Sequence, residues 1–148
     1  MNMILSRMSR GAALALFFIA LTNSAAAAAP APQYPERTLL LLVASWCAPC
    51  YAELARLDEI ARAARPFQVR VLLVDDGARS RAMVRGIDAA RRWEPPGDEM
   101  RRVRSDIWQR TAGLPFSVVT DSKGRVCAEQ NGGLDSGRTL ALVKRCRS

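Results

Sequence analysis

The feature that most constrains this chain is an apolar run, TLLLLVA at 38–44, which leads without a spacer into Ser45-Trp46-Cys47-Ala48-Pro49-Cys50. An unbroken apolar run of this length, bounded by polar residues, suits a strand buried on both faces, as in a parallel sheet. From position 50 to 64 the apolar residues Leu54, Leu57, Ile60 and Ala61 recur at helical spacing, and Pro66 ends the run. A strand that passes at once into a helix puts both cysteines at the junction.

The remaining pattern extends this unit. Residues 69–74 (VRVLLV) read as a second buried strand, closed by the turn formers Asp75-Asp76-Gly77. A helix is expected over 80–93, with Ser80 as its cap and Met83, Ile87 and Ala90 on one face. Pro95-Pro96-Gly97 breaks it, and Asp98 can cap a further helix in which Met100, Val103 and Ile107 align. Residues 116–120 form a third strand, Asp121-Ser122-Lys123-Gly124 a tight turn, and 125–129 a fourth strand. A last helix over 135–146 turns Leu140 and Val143 inward. The order is β-α-β-α-β-β-α, which implies an α/β domain with a mixed central sheet and helices on both faces.

The first 29 residues differ from the rest. Arg7 and Arg10 precede an apolar stretch at 11–21, and small residues lead to Pro30. The stretch is shorter than the roughly 20 apolar residues of a spanning helix, so 1–29 reads as a secretory signal peptide cleaved near 27–29, with an uncleaved membrane anchor as the rival reading. Residues 30–37, with Pro30, Pro32 and Pro35, form an extended lead-in, and 38–148 form the domain. Removing 1–29 leaves 20 Lys+Arg and 14 Asp+Glu, a net of +6. These basic residues are spread over the chain, and an exported protein seldom meets nucleic acid, so they read as a solvated surface and no nucleic-acid partner is expected.

The chain has four cysteines and no histidine. In an exported domain four cysteines allow three pairings. A thiolate at a helix N-terminus meets unpaired N–H groups, which makes Cys47 and Cys50 candidates for thiol-disulfide exchange rather than a structural bond. Zinc ribbons use two close pairs, whereas Cys127 and Cys146 lie 19 apart, and Tyr51 after Cys50 removes the C-x-x-C-H pattern of haem attachment. No metal or organic cofactor is expected. Cys127 and Cys146 are read as a structural disulfide, with a second redox relay as the alternative.

Ser45-Trp46-Cys47-Ala48-Pro49-Cys50, with Glu53 in C-x-x-E spacing and Gly113-Leu114-Pro115 ahead of a strand, resembles the periplasmic TlpA-like thiol-disulfide oxidoreductases of the thioredoxin superfamily. The resemblance implies a thioredoxin-like fold with Cys47 as the nucleophile, Cys50 as the resolving thiol, Trp46 flanking the site and Pro49 shaping the first helical turn. It also implies a cis Pro115, with the backbone of Leu114 offered to a bound substrate strand. In two places the chain departs from the superfamily pattern. Leu41 stands where thioredoxins keep a buried acid, and Ala55 stands where the active-site helix usually carries a proline.

Taken together, these readings describe a monomeric periplasmic reductant of specific protein disulfides. Its partners would be protein thiols and a membrane electron donor, and cytochrome c maturation is one of the family's roles. Two alternatives remain open: a non-catalytic thioredoxin-fold binding module, which the missing acid favours, and a net disulfide oxidant or isomerase. Glu53 reads as a solvated helix residue, with a substitute for the missing acid as its functional alternative. Trp93 and Trp108 are assigned to the core, and Arg101, Arg102 and Arg104 to an exposed face.

Overall fold

The computed structural model describes residues 30–147; the signal-peptide reading of 1–29 falls outside them. Four strands, β1 (Thr38–Val43), β2 (Gln68–Leu73), β3 (Phe116–Thr120) and β4 (Val126–Asn131), form one sheet in the order β2-β1-β3-β4. β1 runs parallel to β2 and antiparallel to β3, and β3 and β4 form a hairpin. All six residues of β1 and all five of β3 are buried, so both faces of the central pair are covered, which explains why β1 is written as a continuous apolar run.

The helices are α1 (Ala48–Leu54), α2 (Leu57–Ala63), α3 (Ala78–Val84), α4 (Gly97–Arg110) and α5 (Ser136–Lys144). α2 and α5 pack on each other, α2 through Leu57 and Ile60 and α5 through Thr139, Leu142 and Val143. α4 adds Val103 and Ile107 to the core.

Several local expectations are corrected. The helix over 50–64 is two helices, broken at Ala55-Arg56, where Arg56 leaves helical geometry (φ −104°, ψ 14°) although no proline is present. The helix over 80–93 is only two turns long. Gly77, at φ 126°, takes the cap position, and Ser80 is buried inside the helix. After Val84 the chain turns, Asp88 accepts the Ala90 N–H at 2.9 Å, and Trp93 gives its N–H to the Val71 carbonyl at 2.9 Å. Pairing with the open edge of β2 thus replaces the last helical turns. Asp98 lies in the first turn of α4 behind a Pro96 cap. Trp108 and Leu140 are exposed, whereas Trp93 is half-buried against the Tyr34 ring at 5.8 Å. Arg101 is exposed, but Arg102 pairs with Asp98 and Glu99, and Arg104 with Asp76.

The proline-rich lead-in is strapped to the domain. The Gln33 N–H donates to Glu99, the Tyr34 hydroxyl donates to Asp106 at 2.6 Å, and the Thr120 hydroxyl donates to the Pro35 carbonyl. Burial and the Asp106 carboxylate both raise the Tyr34 pKa, which keeps the hydroxyl a donor. Gly124 sits beneath this strap at φ 69°, and a Cβ there would collide with the Tyr34 carbonyl oxygen. Gly124→Ala should therefore lower stability by more than about 1 kcal/mol, read from urea denaturation midpoints. An unchanged midpoint would mean that neither the left-handed turn at Gly124 nor the strap above it holds its place in solution.

Candidate functional site: a disulfide at the start of α1

The register sets the site's position. β1 ends at Val43, and Leu42 pairs with Phe116, so Pro115 arrives at the same end of the sheet from which Cys47 emerges. The Leu114–Pro115 bond is cis, and the Pro115 carbonyl accepts the Gly132 N–H at 2.9 Å. A Cβ added at Gly133 would come within 4.0 Å of the Pro115 ring, so the chain just beyond β4 passes close to this loop.

Cys47 and Cys50 are joined by a disulfide. Cys47 is itself the cap of α1: its Sγ accepts the Cys50 N–H at 3.2 Å, and Pro49 occupies the first turn. The two sulfurs differ in position rather than greatly in exposure, Cys47 being 3% exposed and Cys50 fully buried. Trp46, the residue before Cys47, is 61% exposed, and Tyr51, the residue after Cys50, is also exposed.

Three bonds fix the turn before Cys47. Asp75 accepts the Ser45 N–H at 3.1 Å and the Ser45 hydroxyl at 2.7 Å, and the Tyr51 hydroxyl donates to the Ser45 carbonyl at 3.2 Å. Burial works against the ionised Asp75, but hydrogen bonds led by those from Ser45 and Ser80 outweigh it and hold the carboxyl below its usual range. Asp75 read as a turn former in the sequence. Its clamp on Ser45 is a long-range contact, and the adjacent Asp-Asp pair was the only hint of it.

Glu53 is the main correction at the site. It is fully buried, not solvated: one carboxylate oxygen accepts the Leu134 N–H at 2.8 Å, and the other has no partner. Burial pushes its pKa up to about 7, against the opposing effects of the Leu134 bond and the Arg56 charge. A sequence signal did exist. Positions 50, 53, 57 and 60 lie on one helical stripe, and the other three are buried.

Cys127 and Cys146 form a second disulfide, tying β4 to the chain just beyond α5. Its surroundings are opposite in kind to those of the first. Cys127 is exposed and Cys146 half-buried, yet their sulfurs lie 3.2 and 3.8 Å from the Val119 carbonyl oxygen, and Cys146 follows a helix C-terminus. A thiolate at either position would face partial negative charge, whereas at Cys47 it would face an N–H. Exposure favours attack on the second bond, and charge stabilisation favours the first. Closing a loop of about 20 residues would contribute roughly 3 kcal/mol, consistent with a bond kept for stability. Among the described residues no group of three or more His, Cys, Asp or Glu side chains converges as metal ligands.

No family model and no curated protein matches this sequence. Solved structures do match. A thiol:disulfide interchange protein of the thioredoxin family from Chlorobium tepidum TLS is similar with a TM-score of 0.56 at 21% identity, over 75% of this chain and 79% of that one. The pneumococcal exposed lipoprotein thioredoxin from Streptococcus pneumoniae strain TIGR4 gives 0.51 at 23% identity, over 72% and 82%. A thioredoxin-related protein from Neisseria meningitidis serogroup B gives 0.52 at 19% identity, over 81% and 88%. The fold is thioredoxin-like. Leu41, on fully buried β1, is the apolar residue where the resemblance to thioredoxins led one to look for an acid.

The Glu53 environment leads to a pH test. A carboxyl whose pKa rises from 4.5 to about 7 on folding binds more protons when native, so the native state loses relative stability as pH rises from 4.5 through 7. Urea denaturation of the oxidised protein at pH 5 and pH 8 should show Glu53→Gln gaining on the wild type at the higher pH, by an amount on the order of 3 kcal/mol. A difference independent of pH would mean that Glu53 titrates as it does in water.

Proposed function

We propose that this protein is an exported thiol-disulfide oxidoreductase that reduces specific protein disulfides through Cys47 and Cys50. The observation that carries the reading is the Cys47–Cys50 disulfide at the start of α1, with Cys47 capping the helix next to exposed Trp46 and Cys50 fully buried. In the reduced enzyme the Cys47 thiolate, stabilised by the Cys50 N–H, attacks one sulfur of a client disulfide. The client's S–S bond breaks, its other sulfur leaves as a thiolate, and a Cys47–client mixed disulfide forms. Cys50 then loses its proton and attacks Cys47 Sγ. This releases the second client sulfur and restores the Cys47–Cys50 bond; the client gains two electrons and the enzyme dithiol loses two.

Removal of the Cys50 proton needs an acceptor, and Leu41 cannot serve. Glu53 stands one turn further along α1, buried, with one oxygen unpartnered. A carboxyl with a pKa near 7 can take that proton near neutral pH and return it, so Glu53 fills on the helix the place that Leu41 leaves empty on the strand. Its burial weakens the case for a non-catalytic binding module, which rested on the missing acid.

Export is supported by the basic-apolar-small pattern of 1–29 and by a second disulfide remote from the site. Among the described residues no helix is long and apolar enough to cross a membrane. The reducing direction and the membrane electron donor rest on the resemblance to TlpA-like proteins, and the monomeric state is part of the same proposal.

Trapping tests the assigned roles. Cys50→Ser, expressed with its leader, should accumulate disulfide-linked client adducts through Cys47 on non-reducing gels, because the releasing thiol is gone. Cys47→Ser should accumulate few. Equal trapping by both variants would overturn the assignment, and no adducts from either would favour the binding module.

A further inference from the structure

A cavity of about 680 Å³ opens beside the redox loop, between β2, α3 and the start of α4, within the range of ligand sites. Its walls include Val71 and Leu73 of β2, the half-buried Trp93 and Met100. Each of its acids already has a partner: Asp75 holds Ser45, Asp76 pairs with Arg104 at 3.1 Å, and Glu94 pairs with Arg92 at 3.4 Å. Its cations are in surplus. Arg81 of α3 and Arg85, four residues on and just past the end of that helix, line the cavity, both exposed and neither with an ion-pair partner among the described residues. Same-sign neighbours at this spacing repel one another, and an arriving anion would relieve that repulsion. The buried Ser80 hydroxyl lies in the same wall.

The cavity shares Asp75 with the active-site loop. That carboxylate faces the cavity and also holds Ser45, two residues before Cys47. We propose that the cavity is a client-recognition site that takes a segment of the substrate protein combining an acidic side chain with an apolar one, carboxylate on Arg81 and Arg85 and apolar group against Trp93 and Met100. The proposal rests on the oxidoreductase reading, since the occupant is the client of Cys47.

The test uses the reduced protein, wild type and Arg81→Glu/Arg85→Glu, with three substrates. Two are disulfide-linked peptides with identical apolar flanks, one carrying glutamates and the other lysines; the third is neutral hydroxyethyl disulfide. The wild type should reduce the acidic peptide about tenfold faster than the basic one at low salt, with the preference shrinking as salt rises. The charge-reversed variant should invert the preference and reduce hydroxyethyl disulfide at the wild-type rate. Equal rates for the two peptides, with hydroxyethyl disulfide still reduced, would overturn the proposal. Failure to reduce any of the three would instead count against the oxidoreductase reading. In that case, binding of the acidic peptide with serine in place of cysteine, followed by tryptophan fluorescence, decides the cavity: saturation that the variant loses supports it, and no binding overturns it.

Discussion

β1 reaches the redox site with no side chain in contact with water, and much of the site's chemistry follows from that burial. Ionising a carboxyl on a strand covered on both faces costs several kcal/mol unless a cation or several N–H groups meet it. Leu41 removes that cost, and the whole strand packs as hydrocarbon. The acid appears instead as Glu53 on α1, where the Leu134 N–H satisfies one oxygen and Arg56 is near enough to lower the pKa slightly. A single partner leaves the carboxyl close to neutral pH rather than firmly ionised. The place it occupies is thus tolerable in energy for a buried carboxyl, and in the proposed mechanism it lets Glu53 take and return a proton.

The loop that presents Cys47 depends on a second buried element. β2 ends one residue before Val74, whose N–H donates to the Val43 carbonyl, and this carries Asp75 to the side of Ser45. Parallel pairing of β1 and β2 therefore does more than build a core. It brings a carboxylate from the end of one strand to fix the turn at the end of the other.

The sequence made the thioredoxin-like order of elements legible because its strands are written as apolar runs and its breaks as Pro and Gly. β1 and β3 fall at the expected positions, and β4 runs two residues further than expected. The helix over 80–93 was not legible, because the segment's fate depends on Trp93 finding the open edge of β2, a pairing no local pattern encodes. Glu53 was misjudged for a related reason. A charged residue on a helix is solvated by default, and only the packing of α1 against the loop at Leu134 reverses that. Trp108 shows the opposite error: an aromatic residue at helical spacing that the fold leaves outside.

In the proposed mechanism the buried Cys47–Cys50 disulfide reacts and the exposed Cys127–Cys146 disulfide does not, because of what each sulfur faces. Treatment with a mild reductant, followed by alkylation and mass mapping of the cysteines, measures this directly. Local electrostatics requires label on Cys47 and Cys50 while Cys127 and Cys146 stay joined. Label appearing first on Cys127 and Cys146, or on all four together, would show that exposure governs reactivity and would contradict the assignment of Cys47 as the attacking thiol.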